Sequence, residues 1–105
     1  MAESIRFDQR VAIVTGAGGG LGRAHALALA QRGAMVVVND LGGSVQGQGG
    51  DQAAAQIVVD EITAAGGKAL ANVDNIATPQ GAQALVDAAM SAFGRVDVLI
   101  RHPLR

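Results

Sequence analysis

Apolar residues along this chain gather into short unbroken runs instead of alternating with polar ones. VAIV occupies Val11 to Val14, MVVV occupies Met35 to Val38, and VLI occupies Val98 to Ile100, with a weaker fourth run, KALANV, at Lys68 to Val73. An aliphatic run without alternation is what a strand requires when both of its faces are covered, as in a parallel sheet flanked by helices. The intervening segments have helix length and helix punctuation. Leu21 to Arg32 is rich in Ala and Leu and is followed by Gly33, a helix former giving way to a stop. The next segment follows Asp51, a candidate N-cap, runs to Ala65 with Ile57, Val58 and Ile62 on one stripe, and ends at Gly66-Gly67. The third has Thr78 placed to cap, Pro79 at the first helical position, Leu85, Ala89 and Phe93 at spacing four on the inner face, and Gly94 at the end.

Strand and helix therefore alternate three times before a last strand. Right-handed crossovers turn that order into an open, doubly wound α/β sheet, for which the strand order 3-2-1-4 is expected. The crossover reverses after strand 3, so the first two helices are expected on one face and the third on the other. Strand 4 is left as an open edge, and the face carrying only helix 3 is under-covered, which predicts self-association through that face and edge.

Composition narrows this picture. Half of the 105 residues are apolar, Phe7 and Phe93 are the only aromatics, and eight basic against nine acidic side chains leave a net charge of −1. One aliphatic core is expected, and no basic cluster favours nucleic acid. The absence of cysteine removes disulfides and thiolate chemistry and fits a reducing, cytoplasmic setting. MAESIRFDQR carries charges where a signal peptide needs its apolar region. No apolar run is long enough to cross a bilayer, and no metal site is expected. A glycine-rich loop, LGGSVQGQGG, spans Leu41 to Gly50.

The strongest chemical signal is VTGAGGGLGRA, Val14 to Ala24, where the first strand hands over to the first helix. Backbone N–H groups at a helix N-terminus, with no side chains in the way, suit the pyrophosphate of a dinucleotide. A P-loop would need Gly-Lys-Ser/Thr where the chain has Gly22-Arg23-Ala24, so nucleoside triphosphate hydrolysis is a poor reading. The G-x-G-x-x-G form fits no register either, since Gly16 and Gly18 call for glycine at Leu21. What fits is Thr-Gly-x-x-x-Gly-x-Gly, on Thr15, Gly16, Gly20 and Gly22.

That motif, on the first strand-helix turn, resembles the NAD(P)-dependent short-chain dehydrogenase/reductase family, whose domain is Rossmann-like. The resemblance implies that Gly16 permits the tight turn, that Gly20 and Leu21 lie beside the pyrophosphate, and that Gly22 lets helix approach strand. Asp40, at the end of the second strand and about 20 residues beyond the glycines, stands where a carboxylate accepts from the adenosine ribose hydroxyls and repels a 2'-phosphate. NAD is thus favoured over NADP, with Asn39 the weaker candidate; an Asp at a strand end also serves as a turn or cap residue. In NVDN, Asn72 to Asn75, the resemblance puts Asp74 against the adenine amino group and Asn75 beside it, while a solvated turn leading to the next helix is the plainer alternative. RFDQRVAIVTGAGGGLGRAHALALAQRGAMVVVNDLGG, followed by GGKALANVD and AFGRVDVLI, is similar in particular to the (3R)-hydroxyacyl-CoA dehydrogenase domain of peroxisomal multifunctional enzymes and their bacterial relatives. By that resemblance a 3-hydroxyacyl-CoA would be oxidised at its hydroxyl with hydride passing to NAD.

The family's chemistry uses a Tyr, a Lys four residues later and a Ser. These 105 residues hold no tyrosine, one lysine (Lys68), and serines only at Ser4, Ser44 and Ser91, so no catalytic residues are assigned and hydride transfer by this chain alone is not expected. His25 and His102 lack a visible orienting partner, and Asp60 and Glu61, adjacent on a helix, point apart. After Ile100 the resemblance calls for Asn-Asn-Ala-Gly, where the chain has Arg101-His102-Pro103-Leu104. Residues 1–100 accordingly form the expected NAD-binding unit, truncated relative to the family, and 101–105 a divergent tail of the kind a frame shift or misjoined segment produces. The other reading open to the sequence is a nucleotide-binding or protein-interaction module without catalysis.

Overall fold

The computed structural model describes residues 6–18, 20–40 and 51–101, with the side chains of 51–53 left aside. The glycine-rich loop 41–50 and residues 102–105 of the tail lie outside the described residues. Seven elements follow in order: β1 (Val11–Thr15), α1 (Gly20–Gln31), β2 (Met35–Asn39), α2 (Asp51–Ala64), β3 (Lys68–Asn72), α3 (Pro79–Phe93) and β4 (Val98–Ile100). The four strands form one parallel sheet in the order β3-β2-β1-β4, the doubly wound arrangement expected from the apolar runs.

Alternation of side chains along the strands divides the core in two. Ala12 and Val14 of β1 and Val36 and Val38 of β2 face α1 and α2, packing with Ala26, Leu29, Ala55, Val58, Val59 and Ile62. Ile13 and Val37 face the other way, against Leu85 and Ala89 of α3, with Phe93 packed alongside. Helices 1 and 2 thus share one face and α3 takes the other. The stripe of α2 differs from expectation at one position. Ile57 is 56 % exposed, and the buried line is Ala55, Val58, Val59 and Ile62; the spacing 3, 1, 3 turns one flank of the helix onto the sheet and leaves Ile57 on the other flank. Asp51 is the first residue of α2 itself.

Helix α3 has both ends closed by local chemistry. The Thr78 hydroxyl oxygen accepts from the Gly81 N–H at 2.9 Å, Pro79 follows at the first turn, and Gly94 ends the helix at φ 82°, its N–H donating to the Met90 carbonyl. The approach to β4 is tied to β1 twice: the Val11 N–H donates to Asp97 Oδ2 at 2.9 Å, and the Asp97 N–H donates to the Val11 carbonyl at 2.9 Å. Arg95 forks onto the same carboxylate at 2.7 and 2.8 Å. The Asp97 carboxyl is held below the usual range by Arg95 and by the Val11 N–H.

Candidate functional site

The carboxyl ends of β1, β2 and β3 finish level. The register pairs Thr15 with Asn39 and Asn39 with Asn72, so three polar residues close three apolar strands in one row. Thr15 is 2 % and Asn39 3 % exposed, and buried polar groups must find partners. The Asn39 side-chain amide donates to Asn72 Oδ1 at 2.8 Å and to the Asp74 carbonyl at 3.1 Å. The Asn72 amide in turn donates to Asp74 Oδ2 at 2.8 Å, and the Asp74 N–H returns to Asn72 Oδ1 at 2.9 Å. Asp74 is therefore held by an amide ladder that starts inside the sheet.

The glycine turn is built against this row. Gly16 has φ 63°, the left-handed backbone that turns the chain sharply out of β1. The Ala17 N–H donates to the Asn39 carbonyl at 2.9 Å, which fixes the turn to the end of β2. A Cβ on Gly22 would collide with the Gly16 carbonyl oxygen and lie 2.9 Å from the Ala17 Cα, so α1 reaches β1 only because position 22 has no side chain. Gly20, which opens α1, faces open space. Leu21 beside it is 67 % exposed, an apolar side chain standing in solvent next to the turn. The first turn of α1 carries no acidic side chain, so the positive end of the helix dipole is not neutralised from within. These features fit a phosphate-bearing ligand.

Asp40 lies one residue past β2, and its N–H donates to the Asn72 carbonyl at 3.0 Å. Its carboxylate reaches back to the turn, accepting from the Gly18 N–H at 2.5 Å. The structure thus joins Thr15, Gly16, Gly22, Asp40 and Asp74 into one end of the sheet, with Gly20 and Leu21 at its rim. Asn75 is engaged differently. Its side-chain oxygen accepts from the Ala77 N–H at 2.9 Å and its carbonyl from the Thr78 hydroxyl at 3.0 Å, so its polar atoms shape the turn into α3. Arg23, which stands in the P-loop lysine's place, forks onto Glu61 of α2, with its Nε 2.9 Å from Oε1. That pairing lowers the Glu61 carboxyl and raises the Arg23 guanidinium and clamps α1 to α2. Two participants were not assigned from the sequence, Gly18 and Asn72; the signal for Asn72 is a polar residue ending an apolar run at the same level as Asn39.

A strand-glycine turn-helix with a carboxylate from the end of the next strand on that turn has the arrangement of a dinucleotide-binding turn. The family model for short chain dehydrogenases matches residues 10–102. The chain belongs to the short-chain dehydrogenase family of oxidoreductases. Among similar proteins, the mouse (Mus musculus) peroxisomal multifunctional enzyme type 2 is 54 % identical over 102 residues, covering 97 % of this chain and 14 % of that enzyme. The crystal structure of a short chain dehydrogenase from Mycobacterium avium superposes with a TM-score of 0.81 at 56 % identity, covering 91 % of this chain and 34 % of that one. A short-chain dehydrogenase/reductase from Burkholderia phymatum, solved in complex with NAD, superposes with a TM-score of 0.77 at 36 % identity, covering 91 % and 31 %. The chain therefore spans about a third or less of the proteins it matches.

Proposed function

We propose that this chain binds the adenosine half of NAD at the carboxyl ends of β1–β3, as the cofactor-binding part of an oxidoreductase acting on a CH–OH group. The observation that carries this reading is the Asp40 carboxylate lying on the glycine turn, so that a ribose acceptor and a phosphate cradle sit side by side. Thr15, Gly16, Gly20, Leu21 and Gly22 form the pyrophosphate side, Asp40 accepts from the ribose hydroxyls, and Asp74 accepts from the adenine amino group with Asn75 at the margin. NAD supplies the hydride acceptor when bound, and this chain's residues orient its adenosine end. Residues 1–100 are the cofactor-binding unit on this reading, with 101–105 outside it.

Similarity to the peroxisomal multifunctional enzymes supports a 3-hydroxyacyl-CoA as the substrate of the whole enzyme. The 105 residues contain no tyrosine, so this chain alone is expected to bind without transferring hydride. Calorimetric titration of NAD and AMP, with Asp40→Ala as the comparison, tests the binding. Failure of both nucleotides to bind at millimolar concentration, or NADH formation by the chain on its own, would overturn the respective part. A cysteine-free chain fits the cytoplasm, whereas the relatives are named for the peroxisome; cell fractionation that recovers the protein in peroxisomes would replace that assignment.

A further inference from the structure

We infer that Gly18 is a specificity-determining position, setting the preference for an unphosphorylated ribose by placing the Asp40 carboxylate. The inference rests on the reading that Asp40 receives the adenosine ribose. Gly18 is distinct from the other glycines of the turn. Gly16 and Gly20 have left-handed backbones, at φ 63° and 57°, and Gly18 does not. Backbone conformation therefore does not demand glycine at position 18. Space does: a Cβ there would collide with Asp40 Oδ2, and would lie 2.8 Å from the Asp40 Cγ and 2.7 Å from the Ala54 Cβ.

These two obstacles are unequal. The Ala54 methyl is fixed to the backbone of α2 and cannot rotate away, whereas the Asp40 carboxylate can turn about its own side-chain torsions. A methyl at position 18 therefore displaces Asp40 first, and the turn must still yield against the fixed Ala54 methyl. The Gly18 N–H donor then loses its acceptor, and the carboxylate leaves the place where it meets ribose hydroxyls and where a 2'-phosphate would meet its charge. Gly18 thus acts through Asp40 and is a positioning residue. Its N–H holds the carboxylate, and its missing side chain makes room for it.

The test compares binding of 5'-AMP with binding of adenosine 2',5'-bisphosphate to the full 105-residue chain, using wild type, Gly18→Ala, Asp40→Ala and the double variant. Losing hydrogen bonds to a charged acceptor corresponds to roughly 10- to 100-fold in affinity ratio, so Asp40→Ala is expected to lower the preference for 5'-AMP by that factor. Gly18→Ala should lower it about tenfold, with some loss of thermal stability from the fixed Ala54 contact, and in the Asp40→Ala background, where that contact is the same, it should change the preference by no more than about twofold. Wild-type preference in Gly18→Ala, or two effects that simply multiply, would overturn the inference while leaving Asp40 in its role. If Asp40→Ala itself keeps the preference, or wild type binds neither nucleotide, the underlying ribose reading falls and this inference with it.

Discussion

Replacing Gly22 by alanine sets two physical effects against each other, and the sign of the outcome decides between them. Position 22 lies in the first turn of α1, where helix propensity alone favours alanine over glycine by about 1 kcal/mol. The tertiary structure opposes it. The added Cβ would collide with the Gly16 carbonyl oxygen and stand 2.8 Å from the Gly16 carbonyl carbon and 2.9 Å from the Ala17 Cα. All three are backbone atoms, and the Ala17 N–H is itself bonded to the Asn39 carbonyl, so no side chain can rotate to relieve the contact. Overpacking of this kind costs typically about 1–3 kcal/mol. Subtracting the propensity gain leaves a net destabilisation of roughly 0–2 kcal/mol, concentrated at the α1–β1 contact. For a domain this size each kcal/mol moves Tm by about 4–8 °C, so Tm should fall by up to about 15 °C. Urea unfolding followed by far-ultraviolet circular dichroism, at protein concentrations low enough to keep association constant, measures the change. A rise in stability of about 1 kcal/mol would refute the reasoning, because it would mean that α1 does not depend on the close approach at Gly22.

Two further outcomes follow from contacts elsewhere. Asp97 is held below its ordinary pKa by Arg95 and the Val11 N–H, so the stability it contributes is present above the unfolded value of about 3.9 and is lost as pH falls through the lower folded value. Wild type should therefore be more stable than Asp97→Asn at neutral pH, the two converging in acid; a difference independent of pH would show that the charge is not what matters. Leu99 pairs with Ile13 and continues the face on which α3 lies, but α3 covers β1, β2 and β3, leaving Leu99 60 % exposed, and Val86 and Met90 of α3 are exposed as well. The 105-residue chain should self-associate through this face and the open β4 edge in sedimentation equilibrium, and Leu99→Lys should weaken that association; a monomer at all concentrations that binds no hydrophobic dye would contradict it.

The strand positions were readable because a strand covered on both faces announces itself as an unbroken aliphatic run, and the ends of α3 were readable because Thr78, Pro79 and Gly94 act on their immediate neighbours. The sheet order followed from the doubly wound form, and the helix sides from that order and the right-handed crossover, which any chain of L-residues shares. The glycine turn between β1 and α1 was likewise readable, since its spacing reflects local backbone needs. The site's inner connections were not readable in the same way. Nothing in the order of residues says that Gly18 touches Asp40, 22 positions away, or that Asn39 meets Asn72 across the sheet and that together they hold Asp74. Asn75 was placed beside Asp74 by the resemblance, and that its side-chain oxygen also caps the Ala77 N–H in the next turn is seen only in the structure.

The same division runs through α2. Its apolar residues allow more than one buried stripe, and the choice of Ala55, Val58, Val59 and Ile62 over Ile57 depends on where α1 and the sheet lie. Propensities, caps and turns act within a few residues and leave their record in the local sequence. Register, helix phase and the direction of a carboxylate depend on atoms brought together from distant parts of the chain, and so they exist only once the sheet is assembled.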